Sequence, residues 1–368
     1  MNFTFSDNEK LLFQSMGSIL AQENQRMQGS LNSQKDFACE LAHFKQKLST
    51  LGYFNDFKDS PPIGAAAILE MMRIFAKFHP SLFLGVEYGF RIFAQLYQWM
   101  TESFMQSLEI DTMPCAIAFC EDFIETDLKT PSISVQSVDT HYLLSGEKQF
   151  VINAGFSKWL AINGQMDGKD TIFFLSPQTE GLEILPLKNK RIFPELVLAN
   201  IQFRNCPVLK KMVLQPEQMT AMISQIQVFE NFASIACALG MIDQCIEITT
   251  AFAKTHFSEN KPMIAHQAVA FSLAETVTLK QTAELLAYRA AWMFSTDHSE
   301  KFLMNQCAKV FCTEAAETIA SQCMTILGGQ VFVENHMIEQ TLHNSKFIQI
   351  AGTSTHLARM TIADVVLK

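Results

Sequence analysis

Residues 215–257, QPEQMTAMISQIQVFENFASIACALGMIDQCIEITTAFAKTHF, read as one long helix, and its faces organise the rest of the chain. At about 100° per residue, Phe232, Ile235, Leu239, Ile242 and Ile246 form an apolar stripe of the kind that packs into a bundle core. Glu230 lies nearly opposite, on a second face with Ala233, Ser234, Cys237 and Met241, whose side chains leave a cavity beside the carboxylate. Burial in apolar surroundings raises the pKa of a carboxylate, which suits a base that takes a proton from carbon. The same spacing also fits an exposed acid on an ordinary surface helix, and this stretch alone leaves both open.

Outward from that helix, composition narrows the classes. The 368 residues are 48% hydrophobic and 18% charged, which gives a globular chain with core enough for two or three domains and argues against disorder. The net charge of −9 is dispersed, and the absence of a lysine or arginine cluster argues against a nucleic-acid or anionic-membrane partner. The start MNFTFSDNEK lacks the basic, apolar, small-residue order of a signal peptide, and no apolar run approaches a membrane span, so a cytoplasmic protein is expected. Nine cysteines occur without a CxxC pair, which points to reduced core residues and to no metal site.

The order of patterns predicts an α+β chain: an N-terminal α-helical domain over 1–112, a middle antiparallel β domain over 113–216 and a C-terminal four-helix bundle over 217–368. Ser6 with Glu9 is a capping box for a first helix, and Leu41, Phe44, Leu48 and Leu51 mark a second that stops near Gly52. About two more helices follow Pro61 and Pro62. From Met113 the pattern alternates: SISVQSV, HYLLSGE, KQFVINA, KWLAINGQ, TIFFLS, GLEILPL and LVLANIQFRNCPVL, with turn signals at Asp167-Gly168 and Gly181. Helical spacing returns after Glu217 through LAETVTLKQTAELLAYRAAWMF, NQCAKVFCTEAAETIASQCMTIL and THLARMTIADVVL.

Several of these segments together resemble the acyl-CoA dehydrogenases. HYLLSGEKQFVINAGFSKWLAING is similar to the family's N-G-x-K and W-I-T-N stretch, and CEDFIETDL to its T-E-x-x-x-G-S-D loop at Glu121, Thr126 and Asp127. ILGGQVFVENHMIEQTLHNSKFIQIAGTSTHLAR resembles its L-G-G, R-D-A and G-T-S series, and His266-Gln267 its H-Q pair. The likeness spans about residues 110 to 365. It implies an FAD-dependent α,β-dehydrogenation of an acyl thioester, carried by CoA or a carrier protein. It also implies an electron-transfer flavoprotein as redox partner and a homodimer or homotetramer. Where most members read E-G-T, this chain has Ala351-Gly352-Thr353, and alanine cannot take a proton. Isovaleryl-type and long-chain members carry the base ten residues before the glycine of a leucine-glycine pair. With Leu239-Gly240 as that pair, the resemblance places the base at Glu230.

By the same resemblance, FAD would be held by Thr126, Phe150, Ile152, His266, Gln267, Gly328, Gly329, Thr353 and Ser354, and the acyl thioester would meet Gly352, Ala233 and Cys237. The chain departs from the pattern in places. Glu125 replaces the loop glycine and crowds Glu121, Asp122 and Asp127 where phosphate would approach. Phe150-Val151-Ile152 replaces W-I-T, so Ile152 offers no hydroxyl to the flavin. His256 stands for the pyrophosphate arginine, His343-Asn344 for the R-D pair, and Asn231 for the arginine after the base. These losses support an alternative, a homologue without flavin that acts as a binding or scaffold subunit.

Overall fold

The computed structural model describes residues 5–27, 34–54, 64–108, 113–119, 133–215, 217–332 and 336–367. Helix α1 (Asp7–Met27) opens on the expected capping box: Ser6 N–H donates to Glu9 Oε2 at 2.8 Å, and Glu9 N–H donates to Ser6 Oγ at 3.3 Å. Helices α2 (Gln34–Ser49) and α3 (Ala65–Phe78) follow, then α4 (Pro80–Val86). The segment after α4, expected to continue as helix, instead passes through a π-helical turn (Glu87–Ile92) and a 3-10 turn (Gln95–Trp99) before α5 (Glu102–Leu108). Two local demands coincide with the break. Glu87 and Arg91 are buried and paired at 2.7 Å, with the Tyr53 hydroxyl donating to Glu87 at 2.7 Å. Gly89 lies so close to Pro114 and Asn153 that a Cβ there would stand 2.9 and 3.0 Å from their side chains.

The middle region carries β1 (Ala116–Ala118), β2 (Ser134–Ser137), β3 (His141–Ile152), β4 (Leu160–Met166), β5 (Lys169–Leu175), β6 (Leu182–Pro186), β7 (Leu198–Leu209) and β8 (Val213–Leu214). They form two four-stranded sheets, β1-β4-β5-β8 and β2-β3-β7-β6. Six of the strands are those the alternation predicts. Asp167 (φ 51°) and Gly168 (φ 73°) join β4 to β5 as a two-residue turn with both centres at positive φ, the geometry Asp-Gly favours. One pairing corrects the expectation of a wholly antiparallel domain: β1 runs parallel to β4. That short strand arrives from the helical region, and β2 and β3 intervene before its partner, so no hairpin constrains its direction.

Helix α6 (Met219–Thr255) begins the C-terminal bundle and is followed by the ribbon β9 (Phe257–Ser258) and β10 (Lys261–Pro262), then α7 (Gln267–Ser295), α8 (Lys301–Leu327), α9 (Met337–Ile350) and α10 (Thr355–Val366). The sequence reading passed over α9. Its polar content, with Glu339, Gln340, His343, Asn344 and Lys346 in fourteen residues, blurs the apolar period. Helix α6 is the axle of the fold, buried on both faces; Phe232, Ile235, Leu239 and Ile242 are fully covered, and so are Ala233, Cys237 and Met241. By length and composition α6 is long and apolar enough to cross a membrane, which the expectation from apolar runs missed. Its packing against α3, α7, α8 and α9 accounts for that apolarity.

Gly240 lets α6 and α3 touch backbone to backbone. A Cβ there would stand 2.4 Å from the Lys77 amide nitrogen and 2.8 Å from the Ala76 carbonyl carbon. Because backbone cannot swing aside, Gly240→Ala is expected to destabilise the fold by roughly 1–3 kcal/mol or more through overpacking. Urea unfolding checks this, and an unchanged midpoint would remove the packing argument. Of the cysteines, Cys115, Cys206, Cys237, Cys245, Cys312 and Cys323 are buried and reduced, as expected, while Cys39 is exposed.

Candidate active site

Glu230 sits on α6 beneath a loop that returns from the far end of the chain. Helix α9 ends as Ala351 N–H donates to Phe347 O at 2.8 Å, and α10 begins as Leu357 N–H donates to Ser354 Oγ at 3.2 Å. Gly352 and Thr353 are pinned between those two caps. Gly352 adopts φ 63°, and a Cβ on it would lie 3.0 Å from Glu230 Oε2 and 3.3 Å from Cδ. The loop backbone therefore rests on the carboxylate. Thr353 is buried, and its hydroxyl has no hydrogen-bond partner among the described residues. A buried hydroxyl without a partner is costly, which marks this loop as a place built to meet something else.

Lys309 on α8 is fully buried beside this loop. Its ammonium donates to Ser234 Oγ at 2.8 Å, to Ile348 O at 2.5 Å and to Ala351 O at 3.3 Å. Ser234 Oγ in turn donates to the backbone carbonyl of Glu230 at 3.0 Å. Burial pushes the Glu230 carboxyl up to about 7, with Lys309 pulling the other way. Burial likewise pushes Lys309 down to about 7, against the attraction of Glu230. By surface area Glu230 is only half-buried, so one edge reaches outward while protein surrounds the rest. Sequence reasoning missed Lys309. The signal was there: it stands in the apolar register of α8, between Asn305, Ala308 and Cys312, where a lysine is out of place unless paired.

The other expected residues are distributed around this centre. Ala233 and Cys237 are fully buried, and Cys237 faces Lys309 rather than open space, its thiol pushed up by burial. Phe229 borders a separate cavity of about 430 Å³ whose lining includes Phe90, Arg91, Gln95, Tyr97 and Cys115. Asn231 is buried and donates to Asn305 Oδ1 at 2.8 Å. Asn344 accepts from the Phe193 N–H at 2.7 Å, a structural tie between α9 and the segment before β7. Phe150 sits in a bulge of β3 at φ 53°, its N–H donating to Asn200 Oδ1 at 3.0 Å, and Ile152 beyond it is buried. His266 precedes α7 and lies 3.1 Å from the Ser258 carbonyl, with Gln267 exposed beside it. His256 is exposed and stacked on Phe252 at 4.6 Å. Gly328 ends α8 at φ 62°, and neither it nor Gly329 has an atom within 4 Å of where a Cβ would be. Thr126 and the acidic positions Glu121, Asp122, Glu125 and Asp127 lie outside the described residues.

These positions fit the FAD that the resemblance implies at several of its contacts. The Thr353 hydroxyl is free to bond, the Gly328-Gly329 backbone is open to close approach, and Gln267 presents an exposed amide. Ile152 supplies packing and no hydrogen bond.

Comparison with known proteins agrees with this architecture. Residues 221–367 match the family model described as acyl-CoA dehydrogenase, C-terminal domain. The mitochondrial short-chain specific acyl-CoA dehydrogenase of Homo sapiens is 25% identical over 295 residues, covering 78% of this chain and 70% of that protein. Among solved structures, butyryl-CoA dehydrogenase from Megasphaera elsdenii superposes with a TM-score of 0.84 at 17% identity over 100% of both chains. PigA with FAD and proline superposes with a TM-score of 0.86 at 16% identity, over 100% of this chain and 99% of that one.

Proposed function

We propose that this chain, a divergent member of the acyl-CoA dehydrogenase family, dehydrogenates an acyl thioester between its α and β carbons with Glu230 as the base. The observation that carries the reading is the half-buried Glu230 carboxylate lying under the Gly352 backbone, with its ionisation raised toward neutrality. An α C–H is too weak an acid for an ordinary carboxylate to deprotonate quickly. Two things help: a base whose pKa lies near working pH, and N–H donors that meet charge growing on the thioester oxygen. The loop at Gly352 and Thr353 is the natural source of such a donor, because it already rests on the base. Glu230 takes the α hydrogen as a proton, the β hydrogen departs with its electron pair, and the C=C bond forms.

Thr353, Gln267 and the Gly328-Gly329 backbone would hold the FAD, with Phe150 and Ile152 packing beside it. Bound flavin would supply the acceptor for the departing hydride. An electron-transfer flavoprotein is the proposed onward partner. Exposed Phe271, Leu285 and Trp292 on α7 support self-association through the C-terminal bundles.

The test is the visible spectrum of the purified protein, followed by anaerobic addition of acyl thioesters of graded chain length. Stoichiometric flavin absorption that bleaches on addition supports the reading. Ile152, which offers no donor, favours the second reading of a flavin-free binding subunit, and folded protein that stays colourless in excess FAD would decide for it. The pH profile follows from the base. Only the carboxylate accepts a proton, so bleaching should be slow below the Glu230 pKa and rise as pH passes about 7. Single-turnover rates across roughly pH 5 to 9 check this, and a flat profile would count against Glu230.

A further inference from the structure

We infer that Lys309 is the positioning residue of the base: it holds the Gly352 loop over Glu230, and its charge opposes the burial that would keep that carboxyl protonated. The inference rests on the reading of Glu230 as base and names the device that makes Glu230 usable. The geometry comes first. An ammonium has three N–H donors, and Lys309 places all three on Ser234 Oγ and the carbonyls of Ile348 and Ala351. Those two carbonyls belong to the C-terminal end of α9, where backbone acceptors have no partner within the helix and where a positive charge is favoured. Lys309 therefore caps α9 from inside the protein. Ala351 is the last residue before Gly352, so the cap also fixes where the loop leaves the helix and descends on Glu230. Through Ser234, whose hydroxyl bonds the Glu230 carbonyl, the same ammonium is tied to the helical turn that carries the base.

The electrostatics then follow from which groups face this pair. From α6 they are Glu230 and Cys237, whose thiol stays neutral because burial raises its pKa. From α8 comes Lys309 alone, since its neighbours Asn305 and Gln306 are uncharged, and the α9 groups that touch it are carbonyls. Lys309 is thus the cation that opposes the desolvation of Glu230. Without it, burial would act unopposed, and Glu230 would hold its proton at neutral pH and be unable to accept another. With it, the Glu230 pKa is held to about 7, so the carboxylate form is available from neutral pH upward. Once Glu230 takes the substrate proton, the ammonium loses its counter-charge, which favours release of that proton afterwards.

The experiment reads ionisation directly and needs neither flavin nor turnover. Protein carrying 13C at the glutamate carboxyls is titrated by NMR, and the Glu230 signal is assigned by its loss in Glu230→Gln. In Lys309→Met, and in Lys309→Gln, which keeps a donor for the carbonyls, the Glu230 midpoint should rise by at least about one unit, a tenfold gain in proton affinity. The coupling is reciprocal, so in Glu230→Gln, which preserves the size of the side chain, 15N-labelled Lys309 should lose its proton at lower pH by a similar amount. This second arm decides the matter if the lysine variants do not fold. A Glu230 midpoint unmoved in folded Lys309 variants, or a Lys309 midpoint unmoved in Glu230→Gln, overturns the inference. Failure of the base reading looks different: the midpoints shift as expected, yet Glu230→Gln protein still bleaches with substrate.

Discussion

Replacing Glu230 with Gln is expected to slow substrate bleaching of the flavin by roughly a hundred- to ten-thousand-fold, the range a positioned general base contributes. Glutamine keeps the length and shape that fit beneath Gly352, so the loop, α6 and the residues proposed to hold the cofactor, Thr353, Gln267 and Gly328-Gly329, have no steric reason to move. What is lost is a lone pair able to accept a proton from carbon. No second carboxylate is poised to replace it among the described residues. On α8, Glu314 is engaged by Arg359 at 2.7 Å, and Glu317 by Lys346 at 2.6 Å and Gln349 at 2.9 Å. Ala351, at the position where most of the family carries the base, has no side-chain acceptor. Stopped-flow reduction with a saturating acyl thioester measures the effect, and flavin content measured on the same sample separates a lost base from a lost cofactor. A variant that reduces its flavin at the native rate would show that Glu230 does not abstract the proton.

The residues around this carboxylate show what a sequence can reveal and where it stops. The limits of α6 were legible to within a few residues, because a 37-residue helix repeats its period many times. The strands from β2 to β7 were legible because they are short runs, alternating as in β6 or continuously apolar as in β5, separated by turn signals. The face of Glu230 was legible too, since position along a helix fixes direction. What lies across from that face was not. The expected neighbours were Ala233 and Cys237 on the same helix, whereas Gly352, in a loop between α9 and α10, lies against the carboxylate, a Cβ there standing 3.0 Å from Glu230 Oε2. Helical period says nothing about which distant segment returns to cover a face. Lys309 escaped notice for a related reason: its role depends on three acceptors drawn from α6, the end of α9 and the loop. The missing donor at Ile152 was legible as a residue type, and its burial in β3 gives that absence a place in the fold.

Gly352→Ala should reduce activity more than it reduces stability, and the two effects have separable causes. The first is conformational. At φ 63° an L residue with a Cβ costs roughly 1–2 kcal/mol relative to glycine. The second cause is steric, since the added methyl would crowd Glu230 Oε2 at 3.0 Å and Cδ at 3.3 Å. That contact is tight without being prohibitive, so the carboxylate or the loop must give by a few tenths of an ångström. Stability can absorb such a shift. A proton transfer that depends on hydrogen-bond reach between base and carbon cannot, because small misplacements of a reacting group are enough to cost large factors in rate. The expected pattern for Gly352→Ala is a loss of roughly 1–2 kcal/mol in unfolding free energy joined by a fall of about a hundredfold in the rate of flavin reduction. Equal reduction rates in native and Gly352→Ala protein would mean that the loop does not set the position of the base.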